Sequence, residues 1–168
     1  MVTPKLNHVL MIGAGMSRLA STLALHAPYI SPTPSMDVRG TPSTIGDAIN
    51  LTPNALRCLD HLGVFQHLEG KGSIARSIEI HIFSAFSGQR IAELSYRDTD
   101  KIQYHACRIP HGELLQAIRG VVDRAGVKVE YGKKLASVTE REESVTATFE
   151  DWSTAQGDIM PAYTHVPA

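Results

Sequence analysis

The sequence predicts an α/β fold: a mostly parallel sheet flanked by helices, with antiparallel strands added to it. Three observations point there. An apolar run ends in a glycine turn and passes straight into an Ala- and Leu-rich segment. Two later segments carry apolar residues at helical spacing. Other stretches, around 78–82 and between 127 and 157, carry the patterns of short strands. At about 150 residues per domain, the 168 residues predict one domain, or a fragment of a larger one.

The first element is His8-Val9-Leu10-Met11-Ile12, an apolar run that stops at Gly13 and reads as a buried parallel strand. Gly13-Ala14-Gly15-Met16-Ser17-Arg18 makes the turn, and Leu19 to Leu25 carries on as helix. That helix, near 16–26, must end around Ala27, because the residue before Pro28 disfavours the α region. Pro28, Pro32 and Pro34 each remove a ladder donor and resist a central strand. Met36-Asp37-Val38-Arg39 reads as the end of a short second strand. Residues 40–50 read as loop, punctuated by Gly40, Pro42, Ser43, Gly46 and Asn50.

A helix near 52–62 is clearly signed. Thr52 caps it, Pro53 suits its first turn, Gly63 follows its end, and Ala55, Leu56, Leu59 and Leu62 line one face. Ile78, Ile80 and Ile82 alternate with Glu79 and His81. Ser87-Gly88 then turns into Arg90 to Leu94, giving an antiparallel element at 77–95. A third helix runs from Pro110 or His111 to Ala125, with Leu114, Leu115, Ile118, Val121 and Val122 as its stripe and Gly126 as its stop. Strands at 127–131, 135–140, 145–150 and 154–157 complete a β-meander over 127–157, with Asp151-Trp152 in the last turn. Trp152 itself reads as a turn or sheet-face aromatic. There is no internal repeat, linker or low-complexity tract.

Composition narrows the function classes. Apolar residues make up 43% and charged residues 20%, which suits a globular core and excludes a disordered tail. Sixteen Lys and Arg face seventeen Asp and Glu, a net charge of −1, so no strong field for nucleic acid or an anionic membrane is expected. The apolar stretch Val9 to Gly15 is far short of the ~20 residues that cross a bilayer. Asn7 and His8 interrupt any signal-peptide core. Two cysteines, Cys58 and Cys107, form no disulfide framework and point to reduced thiols and a cytoplasmic protein. His105-x-Cys107-x-x-x-His111 offers only three ligands across a strand end and a helix start, and is read as structural, so no metal is expected. The absence of a Gly-x-Ser-x-Gly elbow leaves a serine hydrolase without support.

Gly13-x-Gly15 carries the chemistry. It follows a strand and opens a helix, as in a Rossmann-like fold. The first glycine permits the tight turn, the second lets backbone approach a pyrophosphate, and the helix N-terminus offers free N–H donors. Asp37 lies 24 residues after Gly13, where an acidic residue would meet ribose hydroxyls. Arg18 stands where a third glycine would let helix and strand pack closely, so it needs a wider gap or a side chain that escapes to solvent. The competing readings are an ordinary strand-to-helix turn for the glycines and a solvated loop carboxylate for Asp37.

On these residues the sequence resembles the N-terminal part of the FAD-dependent aromatic monooxygenases, especially the fungal salicylate-hydroxylase-like enzymes. The matching stretches are Val9 to Met16, Asp37-Val-Arg39, Ser43 to Arg57, Arg108 to Leu115, Val129 to Lys133 and Val145 to Asp151. The resemblance implies FAD as cofactor, with Gly13, Gly15, Asp37, Arg39, Gly46, Ala48 and Arg108 as its contacts. Asp37 would hold the adenosine ribose, the Gly46–Ala48 loop would lie along the flavin, and Arg108 would reach the cofactor. A pairing of Arg108 with a carboxylate is the competing reading. The implied reaction is hydroxylation of an aromatic or polyketide-like small molecule in secondary metabolism, with NAD(P)H and O₂ as co-substrates. The resemblance further implies an FAD-binding domain over 1–158 and a divergent tail over 159–168, hence a truncated form that self-associates through an uncovered face. A non-catalytic remnant of the FAD fold and a nicotinamide-dependent oxidoreductase are the alternatives.

Overall fold

A computed structural model describes residues 7–26, 34–42, 46–75, 79–95 and 104–161. In chain order the elements are β1 (Met11–Ile12), α1 (Met16–Leu25), β2 (Ser35–Asp37), β3 (Ala48–Leu51), α2 (Pro53–His61), β4 (Ser73–Ala75), β5 (Glu79–Phe83) and β6 (Arg90–Ser95). Then come β7 (Ala106–Pro110), α3 (His111–Arg124), β8 (Val129–Tyr131), β9 (Leu135–Arg141), β10 (Ser144–Phe149) and β11 (Thr154–Gly157). A 3₁₀ turn at Phe65–His67 follows α2. The chain divides into two compact units, one from 1–44 with 115–168 and the other from 45–114.

The first unit holds a parallel sheet in the order β1-β2-β8. Met11 pairs with Ser35 and Ile12 with Met36, and Asp37 pairs with Tyr131. β1 is shorter than its apolar run because the residues before it pair elsewhere. Val9 forms a parallel bridge with Ile159, Leu10 N–H donates to the Ile159 carbonyl at 2.9 Å, and Asp158 N–H donates to the His8 carbonyl at 2.9 Å. The antiparallel meander β9-β10-β11 buries every second residue of β10, namely Val145, Ala147 and Phe149. These residues and Leu135 form one core with Leu10, Ile12 and Met36 of the parallel sheet. Period-two burial on the meander and near-continuous burial on β1 and β2 are what a one-sided and a two-sided strand require. Val129–Tyr131 reads locally as the first meander strand, but it joins the parallel sheet, because the helix before it returns the chain beside β2.

The second unit holds an antiparallel sheet in the order β3-β7-β4 and the hairpin β5-β6. Residues 48–50 read as loop in the sequence, yet they are strand. Their partner, β7, lies far along the chain, and local pattern cannot report such a pairing. β4 has the same cause. α2 forms as its signals require: Thr52 Oγ1 accepts from Ala55 N–H at 3.4 Å, Pro53 opens the helix, Leu56 and Leu59 are buried, and Gly63 follows at φ +71°. The antiparallel element at 77–95 is the β5-β6 hairpin. Ile78, like Pro28 and Pro32, lies outside the described residues. Among the described residues, no helix is long and apolar enough to cross a membrane.

Candidate functional site

The glycine turn is built between β1 and α1. Gly13 sits at φ +107°, a conformation that side-chain-bearing residues rarely adopt. Its N–H donates to the Met36 carbonyl, and its own carbonyl accepts from Ser35 Oγ at 2.9 Å. Gly15 is the N-cap of α1 and no side chain caps the helix, nor does an acidic residue stand in its first turn. A Cβ on Gly15 would meet nothing within 4 Å. Uncapped N–H groups, the positive end of the helix and open space beside the turn suit an anion.

Asp37 closes the turn from the end of β2. It is 3% exposed, which excludes a solvated loop carboxylate. Its Oδ2 accepts from Ala14 N–H and from Arg39 Nη2 at 2.8 Å; its Oδ1 accepts from Arg39 N–H at 2.8 Å and Nε at 2.9 Å. Burial pushes this carboxyl up, but the hydrogen bonds from Arg39 and Ala14 outweigh it and hold the group below the usual carboxylate range. Arg18 is half-buried, and its Cγ lies 3.5 Å from where a Cβ on Gly13 would stand. The arginine stem therefore stands on the side of Gly13 where a side chain would project.

In the second unit, Gly46 has φ +128°, and a Cβ there would come within 2.8 Å of His111 Nδ1. Ala48 is exposed at the start of β3 and pairs with Pro110. Arg108 is exposed and belongs to strand β7, between Asn50 and Ser73. Among the described residues no group of three or more His, Cys, Asp or Glu side chains could hold a metal ion.

The structure thus brings Gly13, Gly15, Asp37 and Arg39 into one cluster in the first unit, and sets Ala48 and Arg108 on paired strands of the second. Sequence reasoning missed Ala14, whose N–H anchors Asp37, and Ser35, fully buried with its hydroxyl on Gly13. No sequence signal distinguishes a serine in that role. His111, read from the sequence as structural, stands against Gly46 from the first residue of α3, a contact the sequence did not signal.

No family model matches the chain. Over 154 residues it is 27% identical to an FAD-dependent urate hydroxylase of Klebsiella pneumoniae, covering 91% of this chain and 39% of that protein. The crystal structure of Klebsiella pneumoniae HpxO complexed with FAD and uric acid superposes with a TM-score of 0.67 and 26% identity, over 92% of this chain and 38% of that one. The chain has the fold of FAD-dependent monooxygenases. The tetrameric form of 2-methyl-3-hydroxypyridine-5-carboxylic acid oxygenase superposes with a TM-score of 0.72 at 14% identity, a likeness of fold. The chain spans about two fifths of the length of these relatives, 38–39%. The resemblance read from the sequence is borne out at the level of FAD-dependent monooxygenases.

Proposed function

We propose that the Gly13–Gly15 turn holds the pyrophosphate of FAD, and that the chain serves an FAD-dependent monooxygenase acting on an aromatic or polyketide-like small molecule. When bound, FAD supplies the oxygen-activating chemistry, with NAD(P)H as electron source. The observation that carries this reading is the turn itself: uncapped α1 donors facing open space, with Asp37 bonded to the Ala14 N–H beside them. Asp37 meets the adenosine ribose by exchanging one Arg39 hydrogen bond for a hydroxyl. Gly46, Ala48 and Arg108 are proposed as further cofactor contacts. The unpaired thiols of Cys58 and Cys107 suit a reducing, cytoplasmic setting.

The test is titration of the purified chain with FAD, followed by flavin fluorescence and absorbance. Losing a charge-assisted hydrogen bond costs about 1.5–3 kcal/mol, so Asp37→Ala should weaken FAD roughly 10- to 100-fold. Arg108→Gln, at an exposed position, should weaken FAD without changing the melting temperature. An unchanged dissociation constant in either variant removes that residue from the site. A second reading, a remnant that binds flavin weakly or not at all, is favoured by one observation: protein donors fill both Asp37 oxygens. A wild-type chain that leaves the flavin spectrum unchanged would establish it.

Self-association is proposed through the β5-β6 hairpin. Ile82, Phe83, Phe86 and Ile91 are 48%, 58%, 103% and 66% exposed there. A two-stranded hairpin that shows water this much apolar surface is a candidate contact face.

A further inference from the structure

The second unit contains a cavity of about 490 Å³ that the cofactor reading does not use. Its walls come from α2, the 3₁₀ turn after it, and the start of β7. Leu56 and Leu68 are buried and supply an aliphatic side. Phe65 and Tyr104 supply an aromatic side, their rings meeting edge to face with centroids 5.3 Å apart. Tyr104 is fixed in that pose by its hydroxyl, which donates to Asp60 Oδ2. The glycines at 70 and 72 keep the space open. Nothing stands within 4 Å of a Cβ on Gly70, whereas one on Gly72 would come within 2.7 Å of Cys107 Sγ. Cys107 lines the cavity half-buried, and burial pushes its thiol up, so it is an uncharged group at neutral pH. Two exposed polar side chains complete the lining, the carboxylate of Glu69 and the imidazole of His105.

The size falls within the roughly 300–1,000 Å³ of small-molecule sites. Apolar and aromatic walls favour a flat hydrophobic molecule, and a ring against Phe65 and Tyr104 gains edge-to-face contact. A carboxylate on the wall opposes an anion. We propose that this cavity is a binding site, separate from the glycine turn, for an uncharged aromatic molecule of one or two rings. It discriminates against aromatic carboxylates.

The two cysteines give the test its internal control. Cys58 is exposed on α2, and Cys107 lines the cavity. The full 168-residue chain is alkylated with iodoacetamide and each site is followed by mass spectrometry. With saturating 2-naphthol, Cys107 should react roughly fivefold more slowly or less, because an occupied cavity excludes the reagent, while Cys58 keeps its rate. 2-Naphthoate, with the same rings and a carboxylate, should protect far less. Tyr104→Ala, which removes an aromatic wall, should lose most of the protection at an unchanged circular dichroism spectrum. Absence of protection, equal slowing of both cysteines, equal protection by 2-naphthoate, or full protection in Tyr104→Ala would each overturn the proposal.

Discussion

Asp37 shows what one residue's surroundings decide. Its carboxyl is held below the usual range by Arg39 and Ala14 against the opposing effect of burial. A group with a depressed folded value adds stability above its unfolded value, about 3.9 for Asp, and that stability is lost as pH falls through the folded value. Asp37→Asn should therefore cost about 1.5–3 kcal/mol at pH 7, and less at about pH 3, where the wild type is losing the same contribution. Asp151, lowered to about 2 by the hydrogen bonds of Lys133 and Ser153, is present in both proteins and cancels from the comparison. Denaturant unfolding of the two proteins at both pH values measures the gap; a gap of equal size at both would show that Asp37 does not titrate with folding. The spacing from Gly13 made the place of Asp37 legible in the sequence. Its bond from Ala14 N–H was not legible, nor was the Ser35 hydroxyl on the Gly13 carbonyl beside it, because such backbone groups find these partners only once β1 and β2 lie side by side.

Elements whose causes are local were read correctly, whereas several strands whose partners lie far along the chain were missed or given the wrong neighbour. α2 carries its cap, its first-turn proline and its terminal glycine within a dozen residues, and it forms where they say. β3, β4 and β7 are held by partners elsewhere in the chain, and Val129–Tyr131 shows a strand pattern that does not name its neighbour. Two glycines separate the two kinds of constraint. On α3, a Cβ at Gly112 meets nothing within 4 Å, so Gly112→Ala, in the first turn, should raise stability by up to about 0.5 kcal/mol. At the end of β11, a Cβ on Gly157 would come within 3.0 Å of Leu10 N and 3.1 Å of Leu10 Cβ. Gly157→Val should cost about 1–3 kcal/mol by overpacking. Opposite shifts in melting temperature are the expected result, and a neutral Gly157→Val would show that β11 can retreat from Leu10. On the hairpin, Phe83→Ser with Phe86→Ser should lower the sedimentation coefficient if those rings join copies; an unchanged profile would free the hairpin from that role.

At the scale of the whole molecule, the chain covers 38–39% of the length of relatives that are FAD-dependent hydroxylases. Binding a flavin and using it for hydroxylation make different demands. On the proposed reading, binding uses the glycine turn, the helix donors and Asp37, all within the described residues. Hydroxylation also needs a substrate held beside the flavin ring and water kept away from it, since an exposed reduced flavin gives its electrons to O₂ without transferring oxygen. The 168 residues, assayed by themselves with FAD, NADPH and a panel of phenolic acids, should therefore oxidise NADPH slowly and release nearly one H₂O₂ per NADPH, with little hydroxylated product. Peroxide and product are measured in the same samples, so the electron balance is closed in each. Hydroxylated product equal to the NADPH consumed, with little peroxide, would show that these residues alone, or copies of them joined through the hairpin, shield the flavin and hold the substrate. Peroxide release lost in Asp37→Ala at limiting FAD would tie the uncoupled turnover to cofactor bound at the glycine turn; turnover that ignores that substitution would assign it to free flavin instead.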